Sequence, residues 1–237
     1  MTKYNKDENI SYALGTTLTI ELLKRKIDVV RKVYISPKQK RDDTYAKVID
    51  LCKKSPKIQI IENNERIFRD LSGKDNTMVI GEFEKFKSPL NKNANHVVLV
   101  NPSNMGNLGT IIRSTIGFNL SDIAIITPAA DIFDPKVVRA SMGAIFNLNF
   151  ELFSSFEEYM EAMGGERHPY PFMLQAKVDL KNVEIKYPYS LVFGNEATGL
   201  DRSFLEVGTP ILIPHSPLID SLNLDNAVAI GVYWFMK

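Results

Sequence analysis

The chain has 237 residues, of which 44% are hydrophobic and 24% are charged, and its formal net charge at pH 7 is +1. This is ordinary soluble globular composition, sufficient for one large domain or two modest ones. No run approaches the ~18 to 20 uninterrupted apolar residues that span a bilayer, and the first ten residues are polar, unlike a signal peptide. We therefore expect a cytoplasmic protein that does not insert into a membrane.

Cysteine and histidine usage gives no sign of a disulfide or a metal site. Cys52 is the single cysteine, so it cannot form an internal disulfide. His96, His168 and His215 are scattered among loop-like segments without the spacing of metal ligands. No structural metal is expected.

The net charge conceals a difference between two regions separated by the polar break KSPLNKNANH. Residues 1–92 hold 20 Lys and Arg against 13 Asp and Glu, a net charge of +7, whereas residues 93–237 carry −6. Local clusters such as Lys38, Lys40 and Arg41 could contact phosphates and gain affinity from counterion release. Each cluster taken singly is also compatible with a solvated face.

Residues 1–92 predict a small α/β domain, because short apolar strands alternate with amphipathic helices. The predicted helix DTYAKVIDLCKKS places Val48, Leu51 and Cys52 on one stripe. In chain order the predicted elements are strand VRKVYIS, helix DTYAKVIDLCKKS, strand KIQIIEN, helix ERIFRDLS and strand TMVIGEF.

Residues 93–237 repeat the alternation on a larger scale. The near-continuous apolar strands HVVLV, IAIIT and ILI predict a mostly parallel sheet covered on both faces. The predicted order is strand HVVLVNP, a loop and helix, strand DIAIIT, helix DPKVVRASMGAIFNL, strand NFELF, helix SFEEYMEAM, strands YPFMLQAK and YSLVFGNE, helix DRSFLEV, strand TPILIPH and a final helix from Ser221.

The loop NPSNMGNLGTIIRS, after the first of these strands, allows two interpretations. A dinucleotide-binding loop requires G-x-G-x-x-G, but Gly106 and Gly109 are separated by two residues and the next glycine is Gly117. Asp131 lies at about the right distance for a ribose-binding acid, although it follows the next strand. A nicotinamide-dependent oxidoreductase is therefore a remote alternative.

Two later strands end in loops of the same style. LVFGNEATGLD carries Glu196 and ends at Asp201, a predicted helix N-cap, while ILIPHSPLIDSLN carries Ser221 and Asn223. Open α/β sheets bind ligands outside the carboxyl ends of their strands. The three loops therefore predict one site at that edge.

These three stretches resemble the motifs of the SpoU (TrmH) family of RNA ribose 2′-O-methyltransferases, which belongs to the SPOUT class. The first motif is matched by Asn107, Gly109 and Arg113, and the second by FGNEATGL, residues 193–200. The third is matched by Ile213 and Pro214 with the later Ser-Leu-Asn, and RASMGAIF resembles the family segment between the first two. The likeness covers roughly residues 95–237.

The resemblance implies an α/β methyltransferase domain over 93–237 with a C-terminal trefoil knot, preceded by a substrate-binding domain over 1–92. It also implies S-adenosylmethionine as cofactor, RNA (tRNA or rRNA) as substrate and a homodimer. The implied cofactor-binding residues are Leu174, Gln175, Ala176, Phe193, Gly194, Asn195, Ile213, Pro214, His215, Ser221 and Leu222. The implied catalytic residues are Arg113, Asn107, Glu196, Ser221 and Asn223.

Several points stay open at the level of sequence. Arg113 could be the base, as the family suggests, or could bind a phosphate and stabilise the developing alkoxide, since a guanidinium is a poor base. Asn107 and Ser221 could be helix caps. The family usually has Met and Gly where His215 and Pro217 stand, which predicts a differently shaped pocket rim. A non-catalytic RNA-binding protein of the same fold is the alternative function.

Overall fold

The structure of the protein is a computed structural model that describes residues 3–72 and 76–236. The chain forms two compact units. Unit 1 comprises Met1–Phe86 and Asp131–Asn147, and unit 2 comprises Lys87–Ala130 and Leu148–Lys237. The chain therefore leaves unit 2, contributes a segment to unit 1 and returns, which the sequence boundary near residue 92 does not predict.

Unit 1 is an α/β unit with a four-stranded sheet in the order β1-β4-β2-β3. β4 is antiparallel to β1 and β2, and β3 is parallel to β2. The elements are β1 (Ile10–Leu14), α1 (Thr16–Arg25), β2 (Val30–Ile35), α2 (Asp43–Cys52), β3 (Gln59–Glu62), α3 (Glu65–Ser72), β4 (Val79–Glu84) and, later in the chain, α5 (Pro135–Ala140). The predicted stripe of Val48, Leu51 and Cys52 is buried.

The inserted segment Asp131–Asn147 belongs to unit 1 because its apolar side chains complete that core. The Phe83 ring on β4 lies 6.3 Å from the Phe133 ring and 5.5 Å from the Phe146 ring. α5 packs against β1, with Val137 and Val138 fully buried. The sequence of this segment predicts an apolar stripe, but it does not predict which sheet the stripe packs against.

Unit 2 contains a five-stranded sheet in the order β7-β6-β5-β10-β8. All four strand pairs are parallel, so the predicted α/β fold with a mostly parallel sheet is confirmed. Its elements are β5 (His96–Val100), α4 (Met105–Gly117), β6 (Asp122–Ile126), β7 (Asn149–Phe153), α6 (Phe156–Met163), β8 (His168–Pro171), β9 (Val178–Asp179), β10 (Tyr189–Phe193), β11 (Ile211–Leu212) and α7 (Leu224–Phe235). β9 and β11 form a separate parallel pair.

The sheet of unit 2 is buried on both faces, which explains its near-continuous apolar strands. Val98, Ala124 and Val192 pack in one cluster with side chains of α6. α4 and α7 pack against each other, and α7 contacts β10. This packing holds the carboxyl ends of β5 and β10 beside the start of α4.

Three predicted elements differ from the observed ones. The helix predicted over DPKVVRASMGAIFNL ends at Ala140, because Met142 (φ 52°) and Gly143 (φ 88°) are left-handed, and a 3-10 helix follows at Ala144–Asn147. The predicted DRSFLEV helix is a 3-10 helix, Arg202–Glu206, with the expected Asp201 cap. β8 stops at Pro171, since the Met173 N–H donates to the Ile211 carbonyl outside the large sheet.

Within the described residues, no helix combines the length and apolarity needed to cross a membrane.

Candidate functional site

The loops after β5 and β10 meet because these parallel strands are neighbours, with Phe193 paired to Leu99. Asn195 ties the loops together: its side-chain Nδ2 donates to the Asn101 carbonyl at 2.8 Å. The Asn195 Oδ1 accepts from the Ala197 backbone N–H at 2.9 Å and so turns its own loop. The predicted meeting of strand-end loops at one edge therefore occurs for these two motifs.

Glu196 makes a second connection between the same loops. Its carboxylate accepts from the backbone N–H of Ser103 (3.1 Å) and Asn104 (3.0 Å) and from the Ser103 hydroxyl (2.9 Å). The Asn107 Nδ2 lies 3.4 Å from Oε1. The carboxylate thus stands at the N-terminal end of α4, where backbone N–H groups and the helix dipole favour a negative charge.

The surroundings of Glu196 keep its carboxylate ionised. Burial by itself raises the pKa, but hydrogen bonds from the backbone N–H groups of Ser103, of Glu196 itself and of Asn104, and from the Ser103 hydroxyl, favour the charged form more strongly. The net pKa lies below the usual glutamate value. Glu196 is therefore a negative charge that joins the two loops.

Two glycines let the loop after β10 fold back on itself. A Cβ on Gly194 would lie 2.1 Å from the backbone carbon of Gly199 and 2.3 Å from the Leu200 nitrogen, so no other residue fits. Gly199 has φ 70°, which glycine adopts without strain. The F-G-N-E-x-x-G-L spacing is thus required by the close approach of two stretches of backbone.

A pocket of about 220 Å³ lies at this edge of unit 2. Nine of the predicted site residues that the sequence assigns to cofactor binding line it: Leu174, Gln175, Phe193, Gly194, Asn195, Ile213, His215, Ser221 and Leu222. Ala176 is buried and Pro214 is exposed, and neither belongs to the described lining. Glu196 also lines the pocket, together with Phe172, Met173, Ala197, Thr198, Gly199, Leu200, Leu212, Leu224 and Ala227.

The third loop, residues 213–223, contributes His215 and Ser221 to the pocket. The His215 Nδ1 lies 3.0 Å from the Ile213 carbonyl. Asn223 follows outside the lining and caps α7, since its Oδ1 accepts from the Leu224 N–H at 3.0 Å. The final helix therefore begins at Leu224 and not at Ser221, and the cap that the sequence left open for Ser221 belongs to Asn223.

Arg113 projects from α4 into solvent. Among residues 3–72 and 76–236, no hydrogen bond or ion pair to Arg113 is found. Asn107, on the same helix, reaches Glu196 but does not cap the helix, because Asn104 does, accepting from the N–H groups of Gly106 and Asn107. The structure thus brings Asn107 and Glu196 together, and leaves the Arg113 guanidinium available to a group outside the chain.

Ser103 and Asn104 are site residues that sequence reasoning missed. Their backbone N–H groups hold Glu196, and the Asn104 side chain starts α4. The signal was a Ser-Asn pair directly before an apolar helix, since Asn is a preferred N-cap. Asp131, the acid considered for a dinucleotide ribose, belongs to unit 1, where it accepts from Tyr4 and from the Phe133 N–H.

No group of three or more His, Cys, Asp or Glu side chains that could hold a metal ion is present in the part of the chain that the structure describes.

A parallel α/β sheet with a pocket outside the carboxyl ends of its strands defines a ligand-binding α/β protein. Comparison with known proteins then identifies the family. The chain belongs to the SpoU rRNA Methylase family, whose model matches residues 94–233. The resemblance inferred from the three motifs is confirmed.

Named relatives share this part of the chain. A 23S rRNA (uridine(2479)-2′-O)-methyltransferase of Streptomyces viridochromogenes is 30% identical over 144 residues, covering 58% of this chain and 50% of that protein. The 23S rRNA (guanosine(2553)-2′-O)-methyltransferase RlmP of Bacillus subtilis is 29% identical, covering 54% and 52%. The chain thus spans about half the length of these curated relatives.

Solved structures resemble nearly the whole chain. The AdoMet-bound rRNA methyltransferase from Sinorhizobium meliloti has a TM-score of 0.80 and 26% identity, covering 96% of this chain and 87% of that one. The SpoU methyltransferase AviRb from S. viridochromogenes, in complex with AdoMet, has a TM-score of 0.83 over 96% and 89%. At 20% identity, AviRb supports the fold alone.

Proposed function

We propose that the chain transfers a methyl group from S-adenosylmethionine to a ribose 2′-hydroxyl in a structured RNA, either tRNA or rRNA. The observation that carries the proposal is the Glu196 carboxylate, which fastens the start of the Arg113 helix to the loop that lines the pocket. One residue thus joins the expected methyl-donor site to the helix that carries the expected substrate-binding arginine.

The pocket residues fit the proposed cofactor. Phe172, Phe193, Leu222 and Ala227 supply apolar walls suited to a purine, and His215 and Ser221 supply polar side chains. S-adenosylmethionine supplies a reactive methyl group on a sulfonium. We assign its binding to the loops 193–200 and 213–222, and we propose that they form the trefoil knot implied by the family.

The chain itself must align the ribose 2′-oxygen and stabilise the negative charge that develops as its proton leaves. We assign both tasks to Arg113. Its guanidinium has no carboxylate partner among the described residues and can therefore pair with a substrate phosphate through its planar set of donors. Asn107 and Glu196 act indirectly, by fixing the first turn of α4.

The basic region of residues 1–92, most of which lies in unit 1, is proposed to bind the RNA, in agreement with its net charge of +7. A cytoplasmic location is part of the proposal, since the proposed substrates are tRNA or rRNA.

A homodimer is proposed on the family resemblance and on an apolar face of α7. Val228, Val232 and Phe235 are buried within unit 2, but Ile230, Tyr233 and Met236 stay 40%, 64% and 46% exposed. A second copy would cover such a face in a two-fold interface. Light scattering during size exclusion should then give twice the 26.8 kDa chain mass.

The test is transfer of labelled methyl from S-adenosylmethionine to total RNA, followed by nuclease digestion and detection of 2′-O-methyl nucleosides. Arg113→Ala should reduce kcat at least 100-fold while leaving the Kd for S-adenosylhomocysteine within about twofold, because the interaction is made with the substrate and the transition state. Arg202→Ala is the matched control, since Arg202 is exposed and lies outside the described pocket lining.

Two outcomes would contradict the proposal. RNA binding without any methyl transfer by the wild-type protein would favour the non-catalytic alternative. An equal loss of cofactor affinity in Arg113→Ala would remove the assigned role of Arg113.

A further inference from the structure

We propose that the His215 side chain accepts a hydrogen bond, through Nε2, from an N–H or O–H group of S-adenosylmethionine and so helps to select the methyl donor. This inference rests on the proposed function, because it takes the pocket to be the methyl-donor site.

The hydrogen bond between His215 and Ile213 determines which ring nitrogen of neutral His215 carries the proton. A carbonyl oxygen only accepts hydrogen bonds, so the 3.0 Å contact between Nδ1 and the Ile213 carbonyl requires a proton on Nδ1. In the neutral ring Nε2 then carries the lone pair. No hydrogen bond joins Nε2 to any residue that the structure describes. Neutral His215, which is one of the residues that line the pocket, therefore carries an acceptor without a partner among the described residues.

The other polar side chains of the lining do not duplicate this property. Asn195 and Glu196 already bind Asn101, Ala197, Ser103 and Asn104. Gln175, Thr198 and Ser221 each carry both donors and acceptors, so they can adapt to either kind of ligand group. Among the lining groups that are not already bonded within the chain, Nε2 of neutral His215 differs because it accepts without also donating.

The chemistry of the ligand limits what can meet this acceptor. S-adenosylmethionine has three kinds of donor: the adenine amino group, the ribose hydroxyls and the α-ammonium group. Its carboxylate only accepts and would face the Nε2 lone pair unfavourably. The partner is therefore one of the three donor groups.

Two substitutions separate the ring nitrogens. In His215→Asn the side-chain amide can keep the donor to the Ile213 carbonyl, but it does not reach the position of Nε2. In His215→Gln the amide oxygen can reach that position, while the contact with Ile213 is lost. His168→Gln is the matched control, because His168 lies on β8 outside the described lining.

Calorimetry with S-adenosylhomocysteine measures the effect. We expect His215→Asn to weaken binding by about 2- to 12-fold, the equivalent of one lost hydrogen bond, and His215→Gln and His168→Gln to stay within about twofold of the wild type. The reverse order, with Asn tolerated and Gln weakened, would show that His215 only braces its own loop and would overturn the proposal.

Ligand analogues identify the donor. The probes are S-adenosylhomocysteine analogues without the 6-amino group or without a ribose hydroxyl, and methylthioadenosine, which lacks the amino-acid part. The difference between wild type and His215→Asn should vanish for one of them, and persistence with all of them would overturn the proposal. If the wild type binds none of these ligands, the proposed function itself fails, whereas equal binding to wild type and His215→Asn refutes only the role of His215.

Discussion

Glu196 illustrates how much one side chain can determine in this site. Ser103 donates to one carboxylate oxygen and Asn104 to the other, so replacing Glu196 with Gln keeps one acceptor and turns an NH2 group toward the N–H of the other residue. Because Ser103 and Asn104 are exposed, water can bind the freed donor, and the cost is that of one lost hydrogen bond, about 0.5–1.5 kcal/mol. We therefore expect Glu196→Gln to lower the free energy of unfolding by about that amount, measured in urea, and to weaken S-adenosylhomocysteine binding.

Glu206→Gln is the control for this change, because Glu206 is exposed on the 3-10 helix that follows the same loop. Equal stability of the two variants would show that the carboxylate does not hold the loops together.

A second set of polar residues lies in the interior of unit 2, at the opposite ends of the strands. The His96 Nε2 must donate to the Asn91 carbonyl, so Nδ1 accepts from the Tyr159 hydroxyl at 2.9 Å. Tyr159 in turn lies 2.7 Å from the Ser190 hydroxyl, which also accepts from Arg167. The direction of each bond is thus determined by the neutral form of His96.

The chain of bonds makes stability depend on pH. Burial, and then repulsion by Arg167, lower the pKa of His96 to about 4 from 6.5. Below about pH 6.5, His96 is protonated in the unfolded chain but stays neutral in the folded one. The free energy of unfolding therefore falls as the pH drops toward 4, by up to roughly 3 kcal/mol. His96→Gln should lose this part of the pH dependence in urea titrations between pH 4 and 7.

His168→Gln serves as the control, because His168 is only half-buried. If both variants keep the wild-type slope with pH, another group is responsible for it.

At the scale of elements, α7 approaches the pocket through a glycine. A Cβ on Gly231 would lie 2.8 Å from the Phe172 ring and 3.0 Å from the Phe193 ring, which are stacked 4.3 Å apart and line the pocket. We expect Gly231→Ala to destabilise the protein by about 1–3 kcal/mol through overpacking and to weaken S-adenosylhomocysteine binding. Thermal unfolding and calorimetry measure the two effects.

The same substitution in α4 supplies the control. A Cβ on Gly117 would meet nothing within 4 Å, so Gly117→Ala should be neutral or should stabilise the helix by up to about 1 kcal/mol. A gain of stability in both variants would mean that α7 can shift away from the stacked rings without cost.

The elements that the sequence predicted well are those whose burial is local and periodic. α2 buries one apolar stripe, and β5 is apolar from Val97 to Val100, so their local sequence patterns predict the observed elements. β1 and α1 were not assigned, and β11 is a two-residue strand paired with β9 rather than part of the large sheet. The pairing of such a short strand depends on distant residues, which no local pattern records.

At the scale of the whole molecule, the segment Asp131–Asn147 interrupts unit 2 in the sequence but belongs to unit 1, and this limits which fragments of the chain can fold alone. Residues 87–237 expressed alone would expose the apolar side chains that unit 1 buries: Ile132, Phe133, Val137, Val138, Ile145 and Phe146. We expect that fragment to aggregate, and we expect co-expressed residues 1–86 to rescue it as a complex that co-purifies.

Val137→Asp in the larger fragment should abolish the rescue, since Val137 is fully buried in unit 1. A fragment 87–237 that stays monomeric and folded without residues 1–86 would contradict the expected dependence.

The basic residues of unit 1 are not equivalent in their charge balance. Lys24 and Arg25 both pair with Glu21, whereas no ion pair to Lys38 or Lys40 is found within residues 3–72 and 76–236. Each phosphate contact raises the slope of log Kd against log salt by about 0.7–0.9. The double variant Lys38→Ala and Lys40→Ala should therefore reduce the RNA-binding slope by up to about 2.

The control is Lys24→Ala with Arg25→Ala, which removes the same formal charge from residues that pair internally. Identical slopes in both double variants and the wild type would show that these clusters are only solvated surface.

The sequence alone determined the family, the parallel sheet and about half of the residues that line the pocket. The sequence predicts these properties because short motifs and the apolar pattern of buried strands are both local features of the chain. Only the tertiary structure decided that Asp131–Asn147 completes unit 1, that Ser103 and Asn104 hold Glu196, and that Nε2 of His215 has no partner among the described residues. Each of these features is a contact, or the lack of one, between segments that are far apart in the sequence. Such contacts exist only in the folded chain, so no local pattern predicts them.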